Sequence, residues 1–120
     1  MPPSKAGAYP VFVPKTNADG HAIAGLHLPT LEAPNATHTG WNLRKAGFAE
    51  GELCDNNGSM ISFATTREER LKSGDPRLSI AERYPNQSDR AAAIAKAAQQ
   101  LVQDRLLLEE DVKLFTPNTN

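Results

Sequence analysis

Three histidines, His21, His27 and His38, share the N-terminal third of the chain with Asp19, and imidazoles beside a carboxylate are the donors a zinc-type site would use. Their spacings of six and eleven fit no ligand pattern. All three stand next to turn residues, so they read as loop histidines and no metal is expected. Cys54 is the single thiol; a thiolate nucleophile needs a basic or cationic neighbour, and nothing in the chain brings His38 to it. Asp75 and Glu82 could act as an acid and base pair, and Arg77 with Arg83 could clamp an anion. All four fall within "SGDPRLSIAERYPN", residues 73–86, where turn and capping geometry already calls for acceptors, and where Asp75 and Glu82 offer each arginine an internal partner. The segment therefore reads as a salt-bridged joint. No Gly-x-Ser-x-Gly, Gly-rich phosphate loop, His-Glu-x-x-His or paired Cys occurs. No catalytic, cofactor-binding or metal residue is assigned, and no cofactor is expected.

The elements around that joint are written in capping chemistry. "TTREERLKSG" opens with two overlapping Thr-x-x-Glu boxes, Thr65 to Glu68 and Thr66 to Glu69, and stops at Gly74, which suits the left-handed residue ending a helix. Pro76 sets the bend, Ser79-x-x-Glu82 starts a second short helix, and Pro85 closes it. Asn86 or Ser88 then caps a long helix, about 88 to 105, with Ala91, Ile94, Ala98, Leu101 and Val102 along one narrow, Ala-rich face. A last short helix starts near Glu109. Upstream, six of the nine prolines lie in the first 34 residues. There, "YPVFVP" (9–14) and "HAIAGLHLP" (21–29), joined through Asp19-Gly20, read as a loose β-hairpin over 9–28 with edge character. Residues 29–64 show no sustained period, yet carry Trp41, Leu43, Met60, Ile61 and Phe63 in polar surroundings, as a docking loop would. The expected fold class is helix-weighted α+β: an extended, hairpin-containing N-terminal third, a long docking loop, and three to four C-terminal helices. Its expected organisation is 1–64 extended and docking, 65–115 helical and 116–120 a frayed tail, as one structural unit.

Composition limits what such a chain can do alone. It has 120 residues and a net charge of −1, which argues against a polyanion surface and hence against nucleic acid as a partner. Alanine supplies 17 of its 47 apolar residues, while Leu, Ile, Val and Phe together number only 24. That places it at the edge of what orders itself. No apolar run is long enough for a signal h-region or a membrane span, no membrane partner is expected, and the compartment stays open. Docking on another surface would relieve the shortage of bulky side chains.

Four stretches, "VPKTNADGHAIAGLHLP", "APNATHTGWNLR", "FATTREERLKSGDPRLSIAERY" and "LLLEEDV", occur in this order. Through them the chain resembles, from about Tyr9 to Phe115, the C-terminal portion of a family of large bacterial proteins with an alpha/beta hydrolase domain and no assigned substrate. It departs from the family at His21, where Asn is commoner, and at Glu109, where Pro often begins the last helix. The resemblance implies that a nucleophile elbow and a Ser, acid and His triad belong to a body outside these residues, so no catalytic residue transfers to this chain. The implied role is a scaffold segment that braces a hydrolase body, bordering its cleft near Trp41 and Arg44, without turnover of its own. The alternative is a free-standing protein interaction module using the helix face of 91–102 on another protein or, as a homodimer, on a second copy.

Overall fold

The computed structural model describes residue 7 and residues 12–55 and 57–116. Half of the strand expected at 9–14, residues 9–11, and most of the tail expected at 116–120, residues 117–120, lie outside them. Within them the chain is α+β and helix-weighted. The elements run α1 (Pro29–Glu32), β1 (Ala36–Thr39), β2 (Ser59–Ser62), α2 (Arg67–Ser73), α3 (Ile80–Arg83), α4 (Asp89–Gln103) and a 3₁₀ helix (Glu109–Leu114).

Each helix end in the joint follows from side-chain chemistry. Thr66, in extended backbone, accepts the Glu69 N–H while the Glu69 carboxylate takes the Thr66 N–H, so of the two possible boxes the second closes. Gly74 ends α2 at φ 70°, the left-handed conformation in which a side chain is strained. Ser79 and Glu82 form the second box, and α3 is tied back to the end of the sheet by Ile80 N–H to the Ala64 carbonyl and Ala81 N–H to that of Thr65. Ser88 makes no side-chain cap at α4; the Asp89 carboxylate instead accepts from the Asn86 N–H. At the far end Arg105 takes φ 60°, and Leu106 N–H reaches the Leu101 carbonyl, closing a Schellman turn without glycine.

The strands are not where the turn signals pointed. Among the described residues, segment 12–28 pairs only at an isolated bridge, Thr16 with Ala22. The antiparallel sheet is β1 with β2, in register Ala36 to Ser62 and Thr39 to Ser59, inside the stretch expected to be a docking loop. Its pattern hides it. β1 buries the consecutive residues Ala36 and Thr37, and every residue of β2 but Ser59 is exposed, so neither strand alternates with period two.

Two small cores result. Ile94 and Ala98 on α4 are buried, as are Pro29 and Ala33 at α1, which packs against α4. Phe63, just past β2, is the other centre. Large apolar side chains elsewhere face solvent: Trp41, Leu43, Phe48 and Leu53 on the excursion between the strands, and Met60 and Ile61 on β2. The chain exposes 9821 Å², against about 6,300 Å² for a compact 13.0 kDa protein. Its radius of gyration, 19.1 Å, likewise exceeds the roughly 14 Å of a compact domain this long.

Candidate functional site

The densest polar chemistry surrounds Phe63. Two guanidiniums stack on its ring, Arg77 at 4.9 Å and Arg83 at 4.4 Å from the centroid, each a cation–π contact. Arg77 donates through Nε at 2.9 Å and Nη2 at 2.6 Å to Asp75, and through Nη1 to Thr37 Oγ1 at 2.7 Å and the Ile61 carbonyl at 3.0 Å. Arg83 donates from Nη1 and Nη2 to the two carboxylate oxygens of Asp19. Arg70 forks onto Glu82 at 2.8 and 2.9 Å. Around this cluster, Tyr84 O–H donates to the Pro34 carbonyl and Arg90 Nε to that of Ala33, fastening the helical half to the α1–β1 connection.

The electrostatics hold both carboxylates of the joint in their charged form. Hydrogen bonds from the Arg77 side chain and N–H hold the Asp75 carboxyl down at about 2, and those from Arg70, then Ser79, bring Glu82 to about 2. Both stay ionised and bonded at neutral pH, so neither delivers nor collects a proton there. Arg77 and Arg83 are already neutralised, which leaves no anion clamp. The expected pairing was half right: Arg77 does take Asp75, but Glu82 takes Arg70, and the partner of Arg83 is Asp19, 64 residues away.

The histidines divide. His27 is locked by the Glu32 carboxylate and the Ala22 carbonyl, each at 2.8 Å. His21 is buried and stacks on His38 with centroids 6.1 Å apart and planes 15° from parallel. Its Nε2 accepts the His38 N–H at 3.1 Å. No group of three or more His, Cys, Asp or Glu among the described residues is arranged to hold a metal ion. Cys54 is a half-buried free thiol on the inter-strand excursion, beside the Leu43–Leu53 bridge. A groove of about 520 Å³ separates loop 23–27 from α4, with Ile23, Leu26, Leu101 and Leu106 as apolar lining and groups of both charges, Lys96, Glu32 and Asp104 among them, along its polar part.

Sequence reasoning missed Asp19, Thr37 and Phe63 as parts of this cluster. The one available signal was Asp19 standing unpaired in a turn; its partner lies beyond any local spacing rule. The family model described as an alpha/beta hydrolase domain matches residues 2–116 of the chain. No curated protein and no solved structure matches it.

Proposed function

This chain belongs to the alpha/beta hydrolase domain family, and we propose that within it the chain is a bracing, C-terminal segment that docks on a hydrolase body and has no turnover of its own. The observation that carries this reading is the surface: about half of the extended-chain area stays exposed. The Phe63 cluster supports it further, since its charges are committed to one another and act as a rivet. Trp41, Leu43, Phe48, Met60 and Ile61 are the side chains the body would cover. We further propose that 1–64 and 65–115 form one unit, as the Asp19–Arg83, Thr37–Arg77 and Pro34–Tyr84 bonds crossing that boundary support.

The interaction-module reading fares worse. It needs the 91–102 face of α4 to be free, and Ile94 and Ala98 on that face are already buried within the chain. The test is to treat purified 1–120 with a fluorophosphonate serine probe and with short-chain nitrophenyl esters. No label and no rate above buffer are expected; stoichiometric labelling or genuine turnover sinks the proposal. Light scattering that finds a dimer stable to dilution would favour the module.

A further inference from the structure

The histidine at position 21 has a local environment that its role in packing does not explain. Because Phe63 N–H donates to the Asn35 carbonyl across the sheet, the alternation of antiparallel pairs makes Thr37 with Ile61 and Thr39 with Ser59 the hydrogen-bonded pairs. The N–H of His38 therefore points away from β2, along the free edge of β1. His21 covers that edge: Nε2 takes the His38 N–H, and the ring sits by the Ala36 backbone, the next outward-facing group. An imidazole that accepts at Nε2 carries its proton at Nδ1 when neutral. Nδ1 is buried and has no hydrogen-bond partner, and the whole residue is only 4% exposed.

We propose that His21 is an acid-released latch: as the neutral Nδ1–H tautomer it fastens the 17–21 turn to the edge of β1, and protonation turns Nε2 into a donor facing a donor, breaking the bond and freeing the turn. The turn itself is preassembled by Asn17, whose Oδ1 accepts the N–H groups of Asp19 and His21. It carries Asp19, the counter-ion of Arg83, and leads into Ile23 and Leu26 on the groove wall.

Burial sets the direction against the nearest charge. Burial lowers the His21 pKa from 6.5, chiefly by desolvation, with His38 on β1 and His27 on the following loop acting the same way. Asp19 on its own turn and the Ala36 backbone oppose them. Arg83 of α3 reaches this corner through Asp19, and Arg77 of the joint through Thr37, whose Oγ1 donates to the Asp19 carbonyl. With a folded pKa below that of the unfolded chain, the unfolded state binds more protons, so stability is present above pH 6.5 and is lost as pH falls below it. The carboxylates of Asp75 and Glu82, at about 2 when folded and 3.8 and 4.5 otherwise, lose their contribution only below about pH 5, which separates the two effects.

The experiment is imidazole ¹⁵N spectroscopy and amide exchange on the full chain from pH 7.5 to 5. His21 is expected as the Nδ1–H tautomer, titrating below 6.5. Protection of the His38 amide, corrected for intrinsic exchange, should fall by up to about tenfold per pH unit once the pH passes below 6.5. His21→Gln keeps a side-chain acceptor without a titratable proton and should flatten that profile, whereas His38→Gln, which retains the backbone N–H, should not. An Nε2–H tautomer, titration at or above 6.5, or protection of His38 indifferent to pH overturns the latch. Should His21→Gln fail to fold, the tautomer and titration of the unaltered chain still decide.

Discussion

Glu82 shows how much one carboxylate can organise: it receives the Arg70 fork, the Ser79 hydroxyl at 2.7 Å and the Ser79 N–H at 3.0 Å, so capping box and ion pair share one group. Its capping role was legible because Ser-x-x-Glu is a local pattern. The partner of Arg83 was not, since Asp19 reaches it only through the tertiary fold. Asp19→Asn should raise local exchange at the joint by the equivalent of about 2 kcal/mol, the scale of a hydrogen bond to a charged group. Arg83→Met, which keeps an apolar stem on Phe63, should do the same. If the two sites act as a pair, the double variant costs clearly less than the sum of the singles; strict additivity in the exchange data would deny the coupling.

At the level of elements, the helices from Thr66 onward were readable, while the single-turn α1 (Pro29–Glu32), inside the stretch expected to be a docking loop, and the two strands were not. A helix end is decided within four residues, so Thr66, Gly74 and Ser79 announce α2 and α3 directly, and the recurrent apolar face announces α4. The β1–β2 pairing spans 19 intervening residues from Thr39 to Ser59, and its burial follows from what Arg77 and the turn carrying Asp19 and His21 place against β1, not from alternation in the strand. The turn at Asp19-Gly20 was real and closes a loose hairpin reduced to one antiparallel bridge, Thr16 with Ala22, with Asn17 N–H to the His21 carbonyl and Ile23 N–H to the Lys15 carbonyl on either side. Two glycines test this contrast. At Gly74 a Cβ meets nothing within 4 Å, so Gly74→Ala should cost only left-handed strain, about 1 kcal/mol, seen at the end of α2. At Gly58 the added carbon collides with the Thr39 carbonyl oxygen. Gly58→Ala should therefore cost up to about 3 kcal/mol and raise exchange across β1 and β2, and equal effects at both sites would contradict the packing described.

For the whole molecule the deciding quantity is area. With Ile94 and Phe63 as the only bulky aliphatic or aromatic side chains in the buried apolar set among the described residues, heating the isolated chain should give a broad, weakly cooperative transition with dye binding to the exposed apolar surface. A sharp monomeric melt well above 37 °C would show that these cores suffice. Composition already implied this shortage, because counting Leu, Ile, Val and Phe bounds the area that any arrangement can bury. The sequence by itself also determined where α2 and α3 start and where α2 stops, since capping acts over a few residues. Tertiary structure alone decided which carboxylate meets which guanidinium, which strands pair, and that Ile94 and Ala98 of the α4 face are buried within the chain. Those outcomes depend on segments tens of residues apart arriving at one place, and no spacing rule along the chain encodes such a meeting.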